Sequence, residues 1–273
     1  MSENGTRRAD LAERAARAGG AVAEGFFRRD VPVETKTNQT DVVTRADRDA
    51  QQQVIAAIST EYPEEAVVGE EDDELKTVPE SGVAWVVDPI DGTSNFVRDI
   101  PLWVTSVAAV EDGTPVAAAN VLPVLGDVYT SDGDGAAMNG EPIEVSDRTD
   151  PEAMAVSPTV WWPHDRRDEY AAACRETAER FGDCRRYGSA QAALSMVAAG
   201  QLDGAFTNTT TNPWDTVAGV FLVEQAGGTV TDVHGYPWRH YSRGLVASNG
   251  HAHEELLDAT QAVEAVRTGR PES

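Results

Sequence analysis

Ala84-Trp85-Val86-Val87-Asp88-Pro89-Ile90-Asp91-Gly92-Thr93 runs from an apolar, strand-like segment straight into two carboxylates three positions apart. Residues 84–87 have the composition of a buried strand, and strand-end loops are where a rigid scaffold presents functional side chains. Pro89 fixes one backbone angle and lacks an N–H, which helps leave nearby carbonyls free, while Gly92 lets the main chain come close to a ligand. Two carboxylates and a carbonyl form a hard oxygen donor set that suits Mg²⁺ better than softer ions. Taken alone, the segment reads equally as an ordinary Asp-Gly turn.

Upstream, the apolar run 66–68 ends in Gly69-Glu70-Glu71, a further carboxylate pair at a strand end, and residues 72–74 read as a solvated acidic loop. Leu11, Ala15, Ala18, Val22 and Phe26 recur at helical spacing and predict a helix over 9–27; Val54, Ile55 and Ile58 do the same for 49–60. Downstream, 103–110 and 115–124 read as strands divided by Glu111-Asp112-Gly113. Beyond residue 150 helix and strand alternate: strand 153–156, helix 168–181, helix 190–199 closed by Gly200, and strand 204–207. Asp215 stands where an N-cap would, ahead of a helix that Gly227-Gly228 stops, with strands at 229–233 and 245–248 following. The chain therefore divides into an α+β half, 1–150, and an α/β half, 151–273, with no repeat and no flexible linker at the junction.

A chain of 273 residues with 41% hydrophobic and 25% charged residues can bury a substantial core. Its formal charge of -24 and pI near 4.4 exclude nucleic acid as a natural partner, because such a surface repels phosphate backbones. Lys36 and Lys76 are the only lysines among 22 basic residues, and acidity paired with lysine scarcity points to a halophilic protein. Salt screens self-repulsion, so the midpoint of thermal unfolding is expected to rise as KCl is raised to molar levels; an unchanged midpoint would refute the halophilic reading. No apolar run reaches about 18 residues and no leader-like segment opens the chain, which predicts a cytoplasmic protein without a membrane partner.

Other local signals carry little. The Asn-x-Thr matches at Asn4, Asn38 and Asn208 are read as chance, and Cys174 and Cys184 as plain reduced thiols. The five histidines form no zinc or iron triad, and His251-Ala252-His253 reads as part of a solvated tail.

Three motifs in order, GEE at 69–71, DPIDGTSNF at 88–96 and WDTVAG at 214–219, with Gly188-Ser189-Ala190 and Gly227-Gly228, resemble the inositol monophosphatase family. The resemblance runs from Lys36 to Asn249. It implies a layered αβαβα sandwich and two or three Mg²⁺ ions. Glu70, Asp88 and the Ile90 carbonyl would hold the first, and Asp88, Asp91 and Asp215 the second, with Asp88 bridging; a third, weaker ion is expected beside Glu70. The residues it assigns to catalysis are Asp47, Thr93 and Glu70, with Thr93 and Asp47 orienting the attacking water. Gly92, Thr93, Gly188, Ser189, Ala190, Asn208 and Asp215 would line the substrate side.

The implied activity is hydrolysis of inositol 1-phosphate or a related small polyol or sugar phosphate. The runner-up is the 1-phosphate of fructose 1,6-bisphosphate, followed by adenosine 3',5'-bisphosphate. Inositol-selective relatives commonly carry glutamate where this chain has Asn208, which weakens an inositol-only assignment; Asn208 could equally belong to a connecting loop. Arg185-Arg186 would serve a distal phosphate or simply the surface, and Trp161-Trp162 a lid, a subunit contact or the core. The family is often dimeric, so a homodimer is expected. A different class of answer is a relative that keeps the motifs and serves as a non-catalytic regulatory binding protein.

Overall fold

The computed structural model describes residues 3–29, 33–35, 42–71 and 74–269. Lys36, the Asn38 match, and Asp72 and Asp73 of the acidic loop lie outside them. Ahead of the first large sheet come α1 (Glu3–Phe26), the antiparallel pair β1 (Val33–Thr35) and β2 (Val42–Thr44), and α2 (Arg45–Glu61). The sheet itself has seven strands in simple sequence order: β3 (Ala66–Gly69), β4 (Val83–Asp91), β5 (Val104–Glu111), β6 (Thr114–Leu122), β7 (Asp127–Ser131), β8 (Ala136–Met138) and β9 (Glu141–Ile143). Only the β3/β4 pair is parallel. The short helix α3 (Thr93–Val97) lies between β4 and β5.

A second sheet has the order β11-β10-β12-β14-β13. Its strands are β10 (Ala155–Pro158), β11 (Asp183–Cys184), β12 (Gly204–Thr210), β13 (Thr229–Thr231) and β14 (Arg243–Ser248). The helices of this half are α4 (Arg167–Arg180), α5 (Ala190–Ala198), α6 (Pro213–Gln225) and α7 (His253–Thr268).

The strand period of two explains the layering. On β4, Trp85 and Val87 face Leu11, Ala15, Val54 and Ile58 of α1 and α2, whereas Ala84 and Val86 face Leu194, Val217 and Phe221 of α5 and α6. The far side of α5 and α6 meets Ala205, Leu245 and Ala247 of the second sheet. That sheet's other face buries Val156, Phe206 and Val246 against Ala172, Leu256, Ala259 and Val263 of α4 and α7. The order is helix, sheet, helix, sheet, helix, and the central helix layer is hydrophobic nearly all round because sheets cover it on both sides. Gly219 is required there: a Cβ on it would stand 2.5 Å from Leu194 Cβ.

Sheet edges are short. β3, β9, β11 and β13 have four, three, two and three residues, and β9 carries Pro142.

The C-terminus differs from the sequence expectation. His253 opens α7 instead of sitting in a tail, with its Nδ1 2.9 Å from Ser248 Oγ and Nε2 3.0 Å from Thr231 Oγ1. Both ring nitrogens are engaged by hydroxyls of the second sheet. The strands β7 to β9 were also not anticipated.

Candidate active site

The site begins with an irregularity in β4. Asp88 pairs with Ser106 of β5 and Asp91 with Val104, so the intervening register slips by one residue. The strand read over 84–87 therefore continues through the motif to Asp91. Thr105 Oγ1 donates to Pro89 O at 2.8 Å and holds the bulge. Gly92 follows with φ 98°, a left-handed conformation that favours glycine, and a Cβ there would meet Ser189 Cβ at 3.2 Å and Gly188 O at 3.3 Å.

Three carboxylates from two halves of the chain meet here: ligand oxygens of Asp88, Asp91 and Asp215 lie within 4.8 Å of one another. Each is fixed differently. Asp88 Oδ1 accepts from Ile90 N at 3.0 Å. Asp91 is bound by the first turn of α5, accepting from Ser189 Oγ, from Gln191 N at 2.7 Å and from Ala190 N at 3.3 Å. Asp215 is not the N-cap of α6, as its position suggested; Asn212 is, and Asp215 is the N3 residue of a capping box. Its Oδ2 accepts from Asn212 N at 3.1 Å and Nδ2 at 3.2 Å.

Glu70 and Thr93 line the adjoining cleft of about 360 Å³, together with Gly92, Gly188, Ser189 and Ala190. Thr93 Oγ1 lies 3.4 Å from Asp47 Oδ1 and 3.1 Å from Ile90 O, with Asp47 buried in the first turn of α2. All these expected residues converge on one place.

Electrostatically the cluster resists carrying its full charge. Burial, then Glu70, Asp91, Asp215 and Asp47, push the Asp88 carboxyl well above its ordinary range. Burial also raises Asp91 despite the bonds from Ser189 and the α5 amides. Asp215 is pushed up to about 7, by burial first and Asp91 second. Among the described residues none of these three forms an ion pair, and buried like charges are sustained only by a compensating cation. An all-oxygen donor set of this kind fits a hard divalent ion.

Asn208 is placed elsewhere than expected. It is fully buried behind the cleft, its Nδ2 donating to Glu169 Oε2 at 2.6 Å and Glu264 Oε2 at 3.0 Å, and its Oδ1 accepting from Trp162 Nε1 at 2.7 Å. With these bonds made it faces the core and not a substrate. The tryptophan pair splits likewise: Trp162 is core, stacked on Tyr170, while Trp161 is 44% exposed and lines the cleft. Arg185 pairs with Asp183, and Arg186 lines the cleft.

The sequence matches the model of the inositol monophosphatase family over residues 6–265. The chain belongs to that family. A relative in Thermotoga maritima named fructose-1,6-bisphosphatase/inositol-1-monophosphatase is 34% identical, with 85% of this chain and 87% of that protein covered. The Nus factor SuhB of Pseudomonas aeruginosa is also 34% identical, with 92% and 95% covered. Among solved structures, a Thermotoga maritima IMPase superposes with a TM-score of 0.87 at 31% identity over 95% of this chain and 99% of that one. An inositol monophosphatase from Anabaena gives 0.83 at 29% identity over 94% and 96%.

Behind the site, Glu264 anchors the buried amide of Asn208. Burial pushes its carboxyl up, but hydrogen bonds from Arg243, Arg267 and Asn208 outweigh that and pull it down to about 2. A folded-state value below the ordinary 4.5 contributes stability that is present above about pH 4.5 and lost as pH falls towards 2. The Glu264→Gln variant is expected to unfold at lower temperature than the parent at pH 6, with the gap narrowing as pH falls from about 4.5 towards 2 in a series of thermal melts. A gap that is constant with pH would contradict this account.

Proposed function

We propose that the protein is a Mg²⁺-dependent phosphomonoesterase acting on inositol 1-phosphate or a related small polyol or sugar phosphate. The observation that carries this reading is the meeting of Asp88, Asp91 and Asp215 beside a Thr93–Asp47 pair at the mouth of one cleft. Glu70, Asp88 and the Ile90 carbonyl would hold one ion and Asp88, Asp91 and Asp215 a second, with a third beside Glu70. When bound, such ions supply Lewis-acid stabilisation of the phosphoryl charge and a more acidic attacking water.

The chain's own groups then have separable tasks. Asp47 Oδ1 accepts the Thr93 Oγ1 proton, which turns the Thr93 oxygen lone pairs towards a water in the cleft and aims it at phosphorus. Attack forms one P–O bond and breaks the ester P–O bond; the attacking water gives up one proton through the Thr93–Asp47 pair to solvent, and the departing alkoxide takes up one proton from solvent, so the protons balance. Gly92 and Thr93 would meet the phosphate, with Gly188 and Ser189 packed directly beside Gly92 and Ala190 lining the same cleft. The two halves, 1–150 and 151–273, each contribute carboxylates, so the cleft lies where they meet.

Thr93→Ala is expected to lower kcat by about 10² or more with little change in KM, since the hydroxyl acts on the nucleophile. A kcat within about twofold of the parent would remove Thr93 from the mechanism.

A second reading, fructose 1,6-bisphosphate as substrate, is favoured by one observation. A groove of about 560 Å³ adjoining the cleft is lined by Arg98, Arg167 and Arg186, none of which has a carboxylate ion-pair partner among the described residues. In a chain with 46 acidic residues that is a site for a second phosphate. A homodimer in the cytoplasm belongs to the same reading; no helix of the described residues is long and apolar enough to cross a membrane. The relatives named Nus factor SuhB keep a regulatory binding role as the competing class.

Phosphate release from inositol 1-phosphate, fructose 1,6-bisphosphate and adenosine 3',5'-bisphosphate, in KCl with Mg²⁺ or EDTA, tests this. EDTA-sensitive release supports the phosphatase, and the kcat/KM order ranks the substrates; no release from any of the three overturns it in favour of the binding role.

A further inference from the structure

Glu70 is harder to position than the three aspartates. Asp91 is bound by the first turn of α5 and Asp215 lies in the first turn of α6, but Glu70 follows a four-residue edge strand in a loop. That loop is closed by Gly69 N to Leu75 O at 3.1 Å and Leu75 N to Val67 O at 3.2 Å. On one side it is gripped by the buried Gln51 of α2, whose Nε2 donates to Glu71 O at 2.8 Å while its Oε1 accepts from Glu71 N at 3.0 Å. Gly69 is required by that grip, because a Cβ there would stand 2.8 Å from Gln51 Oε1.

A second grip comes from Lys76. Its Nζ donates to three consecutive carbonyls, Gly69 O at 2.9 Å, Glu70 O at 3.1 Å and Glu71 O at 3.3 Å. The same ammonium lies 5.8 Å from the centre of the Trp214 ring, and Trp214 directly precedes Asp215. One cation thus touches the backbone of one cluster-bearing segment and the ring beside the other. We infer that Lys76 is a positioning residue for the cation site, fixing residues 69–71 so that the Glu70 carboxylate faces the cleft and holding that turn against the segment that carries Asp215.

The residue type supports the assignment. Three donors diverging tetrahedrally from one atom can serve three carbonyls of a tight turn, whereas a guanidinium spreads its donors over a plane matched to carboxylates. Elsewhere this chain uses arginine almost exclusively, with Lys36 its only other lysine, so lysine here departs from its habit. Lys76 does not line the cleft and acts through Glu70.

This role rests on the cation-site reading above, and its test reads metal binding as well as turnover. Thermal melts of the parent, Lys76→Met and Lys76→Arg would be followed against Mg²⁺ concentration without substrate, then kcat and KM measured at saturating Mg²⁺. Groups that orient ligands typically change metal affinity 10- to 100-fold, so Lys76→Met is expected to raise the Mg²⁺ concentration giving half the stabilisation by about 10-fold, with KM unchanged. Lys76→Arg, which keeps the charge and loses the three-point grip, is expected to recover only a minor part. An unshifted Mg²⁺ midpoint in Lys76→Met, even with a lower melt in EDTA, overturns the role, as does full recovery in Lys76→Arg. If Mg²⁺ fails to stabilise the parent, the cation site itself falls and the role with it.

Discussion

Asp88→Asn is expected to reduce kcat/KM by at least about 10³, the largest functional loss of any single substitution, because the side chain would be shared by both ions. The same variant should unfold in EDTA at the parent's temperature or above it. Burial and four neighbouring carboxylates already disfavour charge at Asp88, so a neutral amide relieves the metal-free protein. Stabilisation by Mg²⁺ should be lost together with activity. A tenth of parental turnover retained, or an EDTA melt well below the parent's, would contradict the shared-ligand role.

Gln191→Leu is the corresponding test of the framework. Gln191 is fully buried; its Nε2 donates to Trp214 O at 2.7 Å, and its Oε1 accepts from Gly219 N at 2.8 Å and Asn120 Nδ2 at 2.9 Å. Its backbone N–H is one of the donors to Asp91. Leucine keeps the volume and removes three buried side-chain hydrogen bonds, to the Trp214 carbonyl and the Gly219 amide of α6 and to Asn120, each contributing about 0.5–1.5 kcal/mol. Asn120 keeps Ser195 Oγ at 2.9 Å. A loss of about 3 kcal/mol is therefore expected from denaturant titration; a loss below about 1 kcal/mol would show that relaxation or water satisfies those groups.

Motif chemistry was legible wherever it is local. Asp88 and Asp91 lie within the strand that presents them and Gly92 follows it directly, and the family resemblance pointed to Asp47, Glu70 and Asp215 as their neighbours. Residues defined by partners far away in sequence were not legible. Gln191 sits one position past the recognised Gly188-Ser189-Ala190, yet its role depends on Asn120 and Trp214, which no periodicity links to it. Lys76 was conspicuous by type, but the carbonyls it serves belong to a turn whose shape is set by Gln51.

Asn208 shows the opposite error. The family resemblance set it on the substrate side, with a connecting loop as the alternative, and the hydrogen-bonding demand of two buried glutamates turns it inward. Leu256, Ala259, Thr260 and Val263 keep helical spacing and are all buried, but their helix has Ala252 at its N-cap and no side-chain cap, so no start signal beyond the last strand announces it. Strands β7 to β9 are short and interrupted by Gly133, Gly135 and Gly140, all at positive φ, so no run of alternation is long enough to announce them.

The brevity of the sheet edges bears on crowding. At low ionic strength a net charge of -24 keeps copies of the chain apart, but at 1 M salt the screening length falls to about 3 Å and that repulsion no longer reaches across an encounter. What then limits strand-to-strand adhesion is the template on offer: four, three, two and three residues at the four edges of the two large sheets, one of them carrying Pro142. Short edges limit that template at any ionic strength, because backbone geometry does not depend on screening.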